Sequence, residues 1–131
     1  MTSILRNKNC LITGASGGLG SALARQLAKS GCNLFLVGRN TEKLLQLSKE
    51  ILEKFSEISV CYSLCDLSNA EEINESASEA NDKFGSIDIL INSAGTFPVG
   101  DVIDMSADDF NYCFDVNVRA PFQLSKLLFL E

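Results

Sequence analysis

Apolar residues fall along this chain in two alternating modes. Runs of four to six residues, Cys10–Thr13, Asn33–Val37, Ser59–Leu64 and Ile87–Asn92, alternate with longer stretches in which apolar positions recur every three or four residues. The short runs have the continuous apolar character of strands covered on both faces, and the longer ones the period of amphipathic helices. Strict alternation of the two predicts an α/β fold of βαβ units around a parallel sheet.

The first helical stretch, from about Gly18 to Ser30, carries Leu19, Leu23 and Leu27 at helical spacing. Its small residues Ala22, Ala24 and Ala28 permit close packing on the sheet, and Gly31 suits the position just past a helix end. In the second, Leu44, Leu47, Ile51 and Phe55 share a face while Glu42, Lys43, Lys49 and Glu50 stay wet. The third opens on Ser68-Asn69-Ala70-Glu71, a capping-box pattern, runs through Ile73, Ala77, Ala80 and Phe84, and stops at Gly85. A fourth starts near Ser106, with Asp108 and Asp109 at the positive end of its dipole. Along it Phe110, Phe114, Asn117, Pro121 and Leu124 fall at helical spacing, which sets an amide that needs partners on an apolar stripe. The acidic group Asp101, Asp104, Asp108 and Asp109 lacks the spacing of a calcium loop and reads as charge at a helix start.

With 131 residues, 46% of them apolar, the chain suits one domain with a real core. Eleven basic against 17 acidic residues, a net charge of −6, disfavour nucleic acid and acidic membrane surfaces as partners. No apolar run approaches the roughly 18 residues of a membrane span. The start Met1-Thr2-Ser3-Ile4-Leu5-Arg6 lacks a signal-peptide core, so a cytosolic location is expected. Five cysteines, Cys10, Cys32, Cys61, Cys65 and Cys113, without a C-x-x-C pair, read as buried reduced thiols. The absence of histidine excludes zinc sites of the Cys/His kind, Ser-His-Asp triads and Cys-His pairs within this chain.

The segment Leu11-Ile12-Thr13-Gly14-Ala15-Ser16-Gly17-Gly18-Leu19-Gly20 passes from a strand through closely spaced glycines straight into a helix. Glycines let the backbone turn tightly and approach a diphosphate, while the first amides and the positive dipole end face its charge. Glycines also close strand–helix junctions for packing alone, but flanking strand and helix together favour the cradle, and hence a dinucleotide. About 20 residues further on, where such folds read the adenosine ribose, the second strand ends in Leu36-Val37-Gly38-Arg39-Asn40. An acidic side chain there accepts from a ribose 2′-hydroxyl, whereas a guanidinium pairs with a 2′-phosphate. Gly38 and Arg39 therefore predict NADP(H), with NAD(H) the alternative, and Arg39 is expected to work with Ser16 and Asn40.

Thr13-Gly14-x-x-x-Gly18-x-Gly20, then Cys65-Asp66-Leu67, Asn92-Ser93-Ala94-Gly95 and Asn117, taken in that order, resemble the classical short-chain dehydrogenase/reductase family. The glycine loop, also readable as Thr13-Gly14-x-x-Gly17-x-x-Gly20, fits the extended branch equally well; Asn92-Ser93-Ala94-Gly95 favours the classical one, with Ser93 in place of the family's second asparagine. The resemblance implies a Rossmann-type doubly wound parallel sheet of local order 3-2-1-4, the cofactor lying across the carboxyl ends of the strands. It implies that Gly14, Ser16, Gly18, Leu19 and Gly20 serve the adenosine and pyrophosphate side, and that Asp66 and Leu67 hold the adenine. Asn92, Ala94 and Gly95 would lie along the ribose nearer the nicotinamide. Asn117 would be the active-site asparagine, supporting a proton relay to a tyrosine general acid/base. The activity implied is hydride transfer between NADP(H) and a carbonyl or alcohol carbon of a small molecule.

The family's Tyr-x-x-x-Lys is absent: the only tyrosines are Tyr62 and Tyr112, with Asp66 and Val116 four residues on. The expectation is a single Rossmann domain over residues 1–131, truncated after the fourth strand and its following helix, which ends abruptly at Glu131, and inactive by itself. A non-catalytic dinucleotide-binding or interaction module is the second reading. With no fifth strand, the fourth would expose an edge, so the chain is expected to associate through that edge and the last helix, as a homo-oligomer or with a partner segment.

Overall fold

The computed structural model describes residues 3–130, so Met1, Thr2 and the terminal Glu131 lie outside the described residues. Four parallel strands, β1 (Asn9–Thr13), β2 (Asn33–Gly38), β3 (Val60–Leu64) and β4 (Ile89–Asn92), form one sheet in the order β3-β2-β1-β4. The helices are α1 (Gly18–Lys29), α2 (Thr41–Lys54), α3 (Ala70–Phe84), α4 (Ala107–Phe114) and α5 (Ala120–Phe129). This is the α/β architecture that the alternation of elements predicts, with the doubly wound strand order that the family resemblance implies. The fourth run begins two residues later than expected: its pairing with β1 opens at Cys10 opposite Ile89, and just before that the Asn9 N–H is taken by the Asp88 carboxylate at 2.8 Å rather than by a backbone carbonyl.

The two faces of the sheet follow the two-residue period of the strands. Cys10, Ile12, Leu34 and Leu36 face one way, into a core with Ala24 and Ala28 of α1 and Leu44, Leu47 and Ile51 of α2. Leu11, Phe35 and Val37 face the other, against Ile73, Ala77 and Ala80 of α3 and Val116, Ala120, Leu124 and Leu128. Phe35, fully buried, meets the Phe84 ring edge-on at 6.2 Å. At the amino ends of the strands an amide ladder pins the register: Ser59 N–H donates to Asn33 Oδ1, Asn33 Nδ2 to Asn9 Oδ1, and Asn9 Nδ2 to the Ser86 carbonyl, each at 2.9 Å.

Several local expectations change on folding. The buried positions of α1 are Gly20, Ala24 and Ala28, not the leucines; Leu19 is 67% exposed, since close approach to the sheet selects the small residues. Gly31 follows the helix at φ +89°, as its place in the sequence predicts. The cap of α3 is Asn69, whose side chain accepts from the N–H groups of Glu71 and Glu72, while Ser68 turns back to Asp66. Ser106 does cap α4, in a reciprocal capping box with Asp109.

Cys10, Cys32 and Cys65 are buried, Cys61 and Cys113 half-buried, and all five are free. Burial, with Cys32 nearby, pushes the Cys10 thiol from 9.0 up to about 12. Burial likewise raises Cys65, to about 11. A thiol raised in the folded state contributes its stability fully below its unfolded value and loses it as pH climbs through the folded one. The urea midpoint is therefore expected to fall between pH 9.0 and about 12, and to fall less for Cys10→Ala. Parallel midpoint curves for the two proteins would contradict this.

Candidate functional site

Strand order reverses between β1 and β4, which lie side by side although three helices separate them in the chain, with Thr13 opposite Asn92 at their carboxyl ends. A crevice opens at such a point. Here the chain leaves β1 through Gly14 at φ +63°, where an added Cβ would stand 2.8 Å from the Ala94 backbone. Gly20 sits against the Gly14 carbonyl, and a Cβ there would overlap that oxygen and meet Ser93 Oγ at 2.8 Å. Ser93, which departs from the family's asparagine, donates its hydroxyl to the Thr13 carbonyl and so ties the ends of β1 and β4. The residue capping α1 is Gly17, which has no side chain to offer, leaving the first-turn N–H groups without a side-chain acceptor.

The crevice is a cleft of about 250 Å³. It brings together seven of the predicted residues: Gly14, Ser16, Arg39, Asp66, Leu67, Ala94 and Gly95. Gly18 borders the adjoining groove between α1 and α2. Gly20 lies buried beneath the loop, Leu19 projects outward, and Asn92 ends β4 in an exposed position. Thr96, Tyr112 and Val116 also line the cleft and carry no local sequence signal. Tyr112 and Val116 are four residues apart, a helical repeat that becomes informative only once the helix is seen to face the cleft.

Arg39 spans part of the opening, its Nη1 donating to Tyr112 Oη at 3.2 Å, with Ser16 on the same cleft wall. The Asn40 side chain is committed elsewhere, accepting the Lys43 N–H at 3.0 Å as the cap of α2. Gly38 is the reason Ser16 can come close: a Cβ at Gly38 would lie 2.9 Å from Ser16 Oγ. Asp66 Oδ1 accepts from the Ser68 N–H at 2.9 Å and the Ser68 hydroxyl at 2.7 Å. These bonds, with Arg39 nearby, hold its carboxyl below the usual carboxylate range.

The last helical stretch is broken by a π turn, Asp115–Arg119, in which the Ala120 N–H reaches back five residues to the Asp115 carbonyl. The extra residue shifts the helical phase. The buried stripe therefore runs through Val116, Ala120, Leu124 and Leu128, while Phe110 and Phe114 stack on each other at 4.7 Å in half-exposed positions. Asn117 lies within the turn, and its amide makes a paired contact with one residue: Oδ1 accepts the Thr96 N–H at 2.9 Å and Nδ2 donates to the Thr96 carbonyl at 2.6 Å.

A doubly wound parallel sheet with a glycine turn and a cleft at its switch point defines a protein of the Rossmann type. Residues 8–131 match the family model for short chain dehydrogenase, and the chain belongs to that family of oxidoreductases, as an amino-terminal portion of the classical kind. It is 35% identical over 117 residues to an uncharacterised oxidoreductase of Staphylococcus aureus, covering 89% of this chain and 49% of the relative. Among solved structures, it is similar to L-sorbose reductase from Gluconobacter frateurii complexed with NADPH and L-sorbose, with a TM-score of 0.92 at 28% identity, covering 98% of this chain and 48% of that one. An NAD+-bound xylitol dehydrogenase superposes with a TM-score of 0.86 at 31% identity, covering 96% and 48%. The chain thus spans about half the length of the relatives it matches. Among the described residues no helix is long and apolar enough to cross a membrane.

Proposed function

We propose that this chain is the cofactor-binding domain of an NADP(H)-dependent oxidoreductase that, in the complete enzyme, interconverts a carbonyl and an alcohol on a small molecule. The observation that carries the reading is the end of β2, where Gly38 removes the acidic side chain that would repel a 2′-phosphate and Arg39 enters the cleft beside Ser16. The glycine cradle fits the group, since a Cβ at Gly14 or Gly20 would close the space against Ala94 or the Gly14 carbonyl. Relatives of known structure hold NADPH in one case and NAD+ in another, which supports a nicotinamide dinucleotide.

In this reading the pyrophosphate rests on the first-turn amides of α1, at Gly18, Leu19 and Gly20. Asp66 and Leu67 hold the adenine, and the ionised Asp66 carboxylate is an acceptor for its amino group. Asn92, Ala94 and Gly95 carry the ribose nearer the nicotinamide, which supplies or takes up the hydride when bound. Asn117 is this chain's member of the proton relay and acts by fixing the Thr96 backbone at the nicotinamide end. The relay's acid/base is not contributed by Tyr62 or Tyr112, neither of which is followed by lysine four residues on, so the 131-residue chain does not turn over by itself. A cytosolic setting belongs to the same reading and is supported by five free thiols. Self-association is expected at the open edge of β4, which among the described residues pairs only with β1.

Calorimetric titration of the purified chain with NADPH and with NADH tests this. NADPH is expected to bind at least roughly tenfold more tightly, a difference of about 1.4 kcal/mol. Equal affinities would remove the 2′-phosphate reading, and a folded chain indifferent to both nucleotides at millimolar concentration would overturn the dinucleotide site altogether.

A further inference from the structure

Two side chains of the π turn, two residues apart, grip opposite sides of the cleft. Asn117 holds Thr96, on the side after β4. Arg119 turns the other way, and its Nη2 donates a 2.6 Å bond to the Ser68 carbonyl in the loop between β3 and α3. That loop is where Asp66 and Leu67 line the cleft, and Ser68 is the residue whose N–H and hydroxyl hold the Asp66 carboxylate. One helical turn beyond, Gln123 Nε2 donates to the Ala70 carbonyl at 2.8 Å and to Asn74 Oδ1 at 3.0 Å. The start of α3 is thus already anchored to α5 by a neutral amide.

Arg119 adds a second anchor at visible cost. Its guanidinium is drawn partly out of water, and the buried Nε makes no hydrogen bond; Asp115 Oδ1, the other end of the π turn, stands 3.7 Å away, an ion-pair separation. A cation kept only to cover a helix face would leave its five donors in solvent. This one reaches a single carbonyl, and that carbonyl belongs to the residue that orients Asp66.

We propose that Arg119 is a positioning residue for adenine recognition: by fixing the Ser68 peptide it aims the Asp66 carboxylate and Leu67 into the cleft, while Asn117 on the same π turn fixes the opposite wall. The inference rests on the reading of the cleft as a nucleotide site and adds a residue outside the motifs that suggest it. The two Ser68 bonds that fix the direction of the Asp66 carboxylate are also the chief reason its carboxyl is held low.

The test is calorimetry of the full chain with adenosine 2′,5′-bisphosphate, which carries the adenosine end alone, alongside thermal unfolding. Arg119→Met is expected to weaken binding roughly tenfold, as for a lost charge-assisted hydrogen bond in the positioning chain. Arg119→Gln, which retains a donor, should weaken it roughly threefold and decides the matter by the same comparison if the methionine variant does not fold. In a double-mutant cycle, Arg119→Met should add little to the loss caused by Asp66→Ala, because it acts through that carboxylate. A lower melting temperature with unchanged affinity would reduce Arg119 to a strut, and additive losses would show that it does not act through Asp66; either overturns the inference. Failure of the wild-type chain to bind the bisphosphate would instead bring down the nucleotide site itself, and the inference with it.

Discussion

Gly20→Ala is expected to destabilise the chain by about 3 kcal/mol and to remove measurable NADPH binding. The added methyl has nowhere to go: it would overlap the Gly14 carbonyl oxygen and stand 2.8 Å from both the Gly14 carbonyl carbon and Ser93 Oγ. Only the hydroxyl can rotate away; the Gly14 peptide is backbone, and moving it opens the turn between β1 and α1. Stability and binding should therefore fall together, because the same peptide that meets the methyl shapes the cradle. Gly18→Ala is the control for stability alone, since Gly18 is itself assigned to the pyrophosphate. Nothing lies within 4 Å of a Cβ at that position, the first residue of α1. Replacing a helical glycine there is expected to raise stability by about 0.5 kcal/mol. Urea unfolding with NADPH titration of the three proteins checks this, and a Gly20→Ala chain that matches wild type in both would show that the turn is not the tight one described.

Arg39→Asp should weaken NADPH binding by roughly 100-fold, about 2.7 kcal/mol, and bring NADH to parity or better. Two effects act in the same direction: a charge-assisted pair with the 2′-phosphate is lost, and a carboxylate is placed against that phosphate. The same carboxylate can accept from the 2′-hydroxyl of NADH. Folding should be little changed, because Arg39 is exposed and, among the described residues, its one hydrogen-bond partner is the Tyr112 hydroxyl, at 3.2 Å. The NADPH-to-NADH affinity ratio of the variant is the deciding measurement; a ratio identical to wild type removes Arg39 from the site.

The glycine cradle and the end of β2 were legible because each is a local matter: a strand, a turn and a helix start within a dozen or so residues, written in backbone chemistry that side-chain identity reveals. Asp66 was legible in position but not in partner, since Ser68 reads as a helix cap until Asn69 is seen to hold that place. The helix carrying Asn117 was harder. Its spacing in sequence assumes 3.6 residues per turn, and the π turn breaks that phase, so the stripe expected to be buried is half exposed and the amide turns to Thr96.

By itself, the order of residues determined the alternation of strands and helices, the parallel sheet and the turn at residues 13–20, because hydrophobic period and glycine placement act over a few neighbours. What only the folded structure decided are contacts between distant segments: Arg39 with Tyr112 across 73 residues, Arg119 with Ser68 across 51, and Asn117 with Thr96 across 21. Such pairs depend on where the sheet's order sets whole elements side by side and on the rotation of each helix about its axis. No short stretch of chain encodes either.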